Sequence, residues 1–421
     1  MKPRFAFAED VRFTCSRCGD CCRTWNVMLG PGERERLEAL DWRGRVDDLA
    51  DLRPAVRVRQ PGAGTRERLR RRDDGACVYL GAESQCLIHQ HFGAEHKPLL
   101  CRLYPFGFYP MGERVGVDVS FACRAVSEGR GAPLAERQPE WTRLLTQDAD
   151  RGRHQLRAGV PLTGELAWEI EHYLVGFLDD RSLPLIDRVR CVLQFTRIAT
   201  TGDPATASAA KLRAAMAKGI PVQVASQPSA ARMDRTQRAI FYQWLFLCLN
   251  PPPFDLHERP RQEQEREAGR RVREGKRFLK LKGRPWVDNR ELAASFADVA
   301  RVDADVDELC AAPLETYLKA KILGQRFLVI GEQEVPVVEA VPKFLLALPM
   351  TLWTAQALAA DRGAPRVEEA DVRRALRLID RTLGTLPTSA LPRKQAEACD
   401  FIMLETDLVE AAFNEVVRGT P

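Results

Sequence analysis

The sequence predicts an α+β protein in two unequal parts, a small cysteine-rich N-terminal domain over residues 1–130 and a mainly α-helical domain over residues 131–421. Three observations predict it. Eight of the 12 cysteines fall before residue 124. That same stretch is short of long helical patterns and carries short apolar runs separated by turn residues. Beyond residue 133, seven segments place apolar residues three and four apart, the spacing that lines one face of a helix.

Taken in order, Pro31–Leu40 reads as a helix, with proline at its start and acids in its first turn. Arg53 to Arg72 holds eight arginines and reads as a solvated loop around Pro61-Gly-Ala-Gly64. Cys77–Leu80 and Cys86–His89 flank a Gly81-Ala-Glu-Ser turn and predict a hairpin. Phe106–Tyr109 and Arg114–Phe121, around Pro110-Met-Gly112, predict a second. The helical segments are Leu162–Leu178, Leu183–Ile198, Thr236–Leu249, Leu314–Leu328, Phe344–Ala359, Val367–Leu383 and Gln395–Val417. Pro251-Pro-Pro253 and Gly202-Asp-Pro204 punctuate them. The mixed-charge stretch Glu258–Arg284 predicts a solvent-facing helix with ion pairs. A division of the helical part into two subdomains falls near 251–285.

Composition narrows the class. Hydrophobic residues at 45% and charged residues at 29% exclude a mainly disordered chain. A net charge of +5 is too mild to argue for a nucleic-acid partner. The first fifteen residues contain Glu9 and Asp10 and no continuous apolar stretch, so a cytoplasmic protein is expected. The longest uncharged run, Phe344–Ala360, is too short to span a membrane and reads as a buried helix.

In a reducing compartment, the clustered thiols Cys15, Cys18, Cys21, Cys22, Cys77, Cys86, Cys101 and Cys123 are expected as metal ligands rather than disulfides. Cys15-Ser-Arg-Cys18-Gly-Asp-Cys21-Cys22 resembles the C-x2-C-x2-C run that wraps a [4Fe–4S] cluster, its fourth ligand remote in sequence. Gly19 would let the backbone turn tightly around such a centre. Adjacent side chains tend to diverge, which argues against Cys21 and Cys22 serving one metal. Zinc is the alternative, because thiolates also build closed tetrahedral sites, and His89 could replace one of them. Eight thiolates could serve two centres, or one centre with spare cysteines. Arg102 is a candidate to offset the charge of an anionic centre. Cys191, Cys248, Cys310 and Cys399 are scattered among apolar neighbours and read as core residues.

The order Cys15-x2-Cys18-Gly-x-Cys21-Cys22, Cys77-x-Tyr-Leu80, Cys86-Leu-Ile-His89 and Cys101-Arg-Leu-Tyr-Pro-Phe106 resembles the YkgJ-type cysteine-cluster family. The resemblance covers residues 11–130 and implies a zinc- or iron-chelating domain. Chain length, Trp25 and the Leu100–Pro105 block also resemble the flagellin lysine N-methylase branch. That branch implies an iron–sulfur cluster, S-adenosylmethionine as methyl donor and flagellin or a similar protein as substrate. No G-x-G-x-G follows an expected strand, and Trp25 stands where a C-x3-C-x2-C motif would need its third cysteine. The histidines form no H-E-x-x-H or triad pattern. No catalytic residue is named by the sequence. Three classes stay open: a redox or structural metalloprotein, a protein-modifying methyltransferase, and a metal-handling protein.

Overall fold

A computed structural model describes residues 4–60, 64–111, 113–145, 155–157, 160–161, 164–200, 219–226, 229–253, 256, 259–304, 308–330, 333–383 and 406–418. Its N-terminal part is built on a three-stranded sheet. Arg4–Ala6 runs parallel to Arg114–Val119, which pairs antiparallel with Phe106–Met111. The second expected hairpin is therefore present, with Phe106 opposite Val119. Alternation along the strands sends Phe5, Phe106 and Phe108 to one side. Their rings close on the buried Trp141 edge-on, with centroids 5.1–5.8 Å away.

The other face of this sheet receives the helix Glu308–Gly324. Gly324 makes the approach possible, since a Cβ there would lie 2.4 Å from the Asp118 Cα. At the same seam Lys321 donates to Asp118 (3.0 Å) and to the Val119 carbonyl (3.0 Å), and pairs with Asp380 (2.8 Å). All three charged side chains are almost fully buried. Burial alone would force them neutral, but mutual pairing holds Lys321 charged and raises its pKa above the ordinary value.

Most of the expected helices are present with shifted ends. Gly164–Asp179, Leu185–Thr200, Arg235–Leu249, Glu369–Asp380 and Thr406–Arg418 all carry the three-and-four apolar spacing inward. Asp234 caps one of them, accepting from the amides of Thr236 (2.7 Å) and Gln237 (2.8 Å). Arg261–Lys280 is the expected solvent-facing helix, laced by pairs such as Arg261–Glu265 (2.9 Å). The uncharged run lies in Val337–Leu345 and Ala347–Asp361, the latter buried on every face through Ala359. Val337–Asp361 is long and apolar enough to cross a membrane, yet 83% of its most apolar window is buried inside the protein. It is a core helix.

Two expectations are corrected. Arg53–Arg72 is not an irregular loop: Ala55–Gln60 and Gly64–Leu69 pair antiparallel in full register. Val58 is buried on one face of this ladder and Leu69 on the other, so the arginines conceal apolar positions on both faces. Cys77–Leu80 and Cys86–His89 do not form a hairpin either. A single bridge joins Leu80 to Cys86, and Leu87–Phe92 is a short helix that buries Ile88. The hairpin tip 61–63, Gly202-Asp-Pro204, residues 395–405 and Cys399 lie outside the described residues.

Apolar packing divides into two clusters. The larger joins Ala8, Phe13, Val117, Phe121 and Trp141 to the long helices, and so runs across residue 130. The smaller is confined to Val27, Leu37, Trp42, Leu49, Leu69, Val78, Tyr79 and Ile88. Cys77, Cys86 and Cys101 pack against this small core.

Candidate metal centre

Each cysteine segment is held by backbone geometry that the neighbouring residues impose. Gly19 has φ +73°, a left-handed conformation open to glycine, and starts the short helix Asp20–Thr24 that carries Cys21 and Cys22. The Cys77 amide donates to the Cys22 carbonyl at 2.8 Å, which docks the second cysteine segment on the first. Cys86 precedes the helix Leu87–Phe92, Cys101 sits inside Leu99–Leu103, and Cys123 precedes Arg124–Ser127.

All but the Cys123 segment line a cavity partly open to solvent, whose wall includes Cys21, Cys22, Cys77, Cys86 and Cys101. Trp25, Tyr79 and Tyr104 supply its aromatic lining, and Val27, Leu69, Ile88 and Pro98 its aliphatic lining. Trp25 packs on Tyr104 with ring centroids 4.9 Å apart. Among the described residues, no carboxylate or imidazole lines the cavity. The divergence expected of Cys21 and Cys22 is not found: both face it, and their thiols hydrogen-bond to each other.

The thiols feel one another. The hydrogen bond to Cys22, then burial, pushes the Cys21 thiol far above its ordinary range. Burial, reinforced by Cys86 and Cys21, pushes Cys77 up to about 11, while Arg71 opposes it. Cys101 is raised by burial and by Cys77, Cys86 and Cys21, with Lys97 opposing. Without a cation in their midst, thiols so close cannot ionise together; a bound metal ion reverses that balance. Five thiols in a mostly apolar wall form a soft, sulfur-only donor set, which fits zinc or iron–sulfur and does not fit magnesium or calcium. Among the described residues, no group of three His, Cys, Asp or Glu already stands closed around a metal position. The thiols line the cavity rather than converge on one point.

The remaining cysteines are placed differently. Cys123 is half-buried against the large core, its pKa raised to about 12 by burial, with Cys21 and Cys18 adding to the shift. Cys18 is half-buried and does not line the cavity. Cys15 is exposed and does not line the cavity. Cys191, Cys248 and Cys310 are buried in the large core, away from this wall.

Three cations, Arg70, Arg71 and Lys97, line the cavity in place of the expected Arg102, which is not among its described lining residues. Arg71 donates to the carbonyls of Cys22 (3.4 Å), Arg23 (3.0 Å), Gly75 and Trp25, so one guanidinium gathers the chain on both sides of the thiols. Its planar fork of donors suits that task. The surrounding Arg-rich run hid it. His89 is exposed on its helix and takes no part in the cavity wall.

Residues 14–123 match the family model CxxCxxCC, described as a putative zinc- or iron-chelating domain. That span contains all eight clustered cysteines. No curated protein and no solved structure matches the chain. The cysteine-cluster resemblance is thereby supported, while the flagellin-methylase resemblance gains nothing from these comparisons.

Proposed function

We propose that the chain is a cytosolic metalloprotein whose cysteine lobe holds a thiolate-bound centre, a [4Fe–4S] cluster before zinc. The observation that carries this reading is that Cys21, Cys22, Cys77, Cys86 and Cys101 line one mostly apolar cavity, with no carboxylate among its described lining residues. Cys18 and Cys123 are the remaining half-buried thiols of the cluster. Such a centre supplies electron transfer if iron–sulfur, or structural cross-linking if zinc. The protein's own residues contribute the rest. Arg71 and Lys97 counter the negative charge of the thiolates, and Trp25, Tyr79 and Tyr104 shield them from water. Anaerobic purification followed by metal analysis and visible spectroscopy tests the reading. A brown protein that bleaches on reduction is expected; stoichiometric zinc without iron would leave the metal lobe and remove the cluster.

A second reading is lysine N-methylation of a protein such as flagellin, with S-adenosylmethionine as donor. The aromatic wall beside the thiols favours it, since Trp25 and Tyr104 could flank an alkylamine. Labelled donor supplied with metal-loaded protein and flagellin should then place label on lysine. Absence of donor binding by calorimetry would retire this reading.

A further inference from the structure

The helix Glu369–Asp380 lies far outside residues 14–123, yet three side chains on one of its faces grip the cysteine loops. Residues 373, 377 and 380 share that face by their four- and three-residue spacing. Arg373 donates to the Ser127 carbonyl at 2.8 Å. Arg377 pairs with Asp20 at 3.6 Å, and Asp20 stands between Cys18 and Cys21. Arg124, next to Cys123, pairs with the same Asp20 oxygen at 3.1 Å. One turn further along the helix, Asp380 accepts from the Ser120 hydroxyl (3.1 Å) and from the amides of Phe121 (2.7 Å) and Ala122 (3.2 Å). Those amides immediately precede Cys123. The other Asp380 oxygen rests on the buried Lys321.

We propose that Arg377 and Asp380 are positioning residues for the thiol cavity, setting the Cys18–Cys21 loop and the Cys123 turn against the cysteines carried by the small core. The two thiol groups have separate foundations. Cys77, Cys86 and Cys101 pack on the small core, and Cys123 on the large one. Their relative placement passes through Asp20 and the 120–122 backbone, and both are held by this helix. The cysteine lobe is thus completed by residues from the far end of the chain. In its metal-binding consequence the inference rests on the function proposed above; in its thiol geometry it stands independently.

The test uses the full chain with Arg377→Met, Arg377→Lys and Asp380→Asn. Asp380→Asn cuts into a buried ion cluster, so Arg377→Met, at a partly exposed side chain, keeps the question decidable if the first variant does not fold. Metal-free, reduced protein is treated with iodoacetamide, and alkylation is resolved by cysteine with mass spectrometry. Arg377→Met should speed alkylation of Cys18 and Cys123 about two- to five-fold, the size expected for loss of a partly exposed ion pair. Cys77 and the buried Cys191 and Cys310 should hold their rates, and Arg377→Lys should restore most of the protection. On metal-loaded protein, the same variant should release metal to a chelator faster. An unchanged alkylation profile, or an equal rise at all cysteines, would overturn the proposal. If the wild-type chain carries no metal, the proposed function fails while the alkylation result still decides the positioning role.

Discussion

Arg71 holds the carbonyl of Trp25 with one nitrogen of its guanidinium and the carbonyls of Cys22, Arg23 and Gly75 with another. Beside the Cys77–Cys22 backbone bond, this one side chain ties the double-cysteine helix to the run before Cys77. Replacing Arg71 with Gln should leave several part-buried carbonyls poorly satisfied. A loss of about 1–3 kcal/mol is expected in urea denaturation, with Lys recovering only part of it because its ammonium lacks the planar fork.

The thiols should divide in their effect on metal content. Serine at Cys21, Cys77 or Cys101 should sharply reduce the metal measured by elemental analysis. Serine at Cys15, exposed and off the cavity, should retain most of it. Alanine at Cys191 or Cys310 should leave metal content unchanged while lowering stability by about 1 kcal/mol, the order expected for a small core truncation.

The metal-free protein should lose stability in alkali. Cys77 and Cys248 are raised from 9.0 to about 11 and about 12, each chiefly by burial. A raised folded pKa means that the native state holds its proton more tightly than the unfolded chain does. The resulting stability is fully present below pH 9 and is lost as pH rises through about 11 to 12. Denaturation midpoints recorded between pH 8 and 11 should fall steadily. In the metal-loaded protein the Cys77 share of this decline should vanish, because a coordinated thiolate has no proton to lose.

Gly324→Ala should be among the most damaging small substitutions. The added methyl would meet the Asp118 backbone at 2.4 Å, and the strand cannot retreat without pulling Asp118 from Lys321. A cost of about 3 kcal/mol is expected in urea denaturation. Alanine at Gly269, whose nearest neighbour is an Arg273 nitrogen 3.7 Å away, should instead be tolerated.

What could be read from the sequence follows the range of the interaction. The helices announce themselves because Arg235–Leu249 and Glu369–Asp380 carry their apolar stripe within a few turns. The Phe106–Val119 hairpin is equally local. The Ala55–Leu69 hairpin escaped because its arginines dominate composition, although Val58 is buried on one face and Leu69 reaches the small core on the other. Cys86–His89 looked like a strand because four residues cannot distinguish a period of two from 3.6. The cysteine set was visible as a count and a spacing. Which cation would face it was not: Arg71 and Arg102 each neighbour a cysteine segment, and only the folded chain turns Arg71 inward. The pairing of Asp20 with Arg377 joins residues no local pattern connects.

The contacts from Asp380 to residues 120–122 span about 260 positions of the chain. During synthesis at roughly 5–20 residues per second, the clustered thiols emerge some 10–50 s before the helix that braces them. Through that interval the Cys18–Cys21 loop and the Cys123 turn lack their final support. Any metal taken up by the finished geometry would therefore bind after this helix is in place, and a nascent chain exposes its thiols to oxidants in the meantime. The order in which the ribosome releases the chain thus gives this protein a period of chemical vulnerability that its folded form conceals.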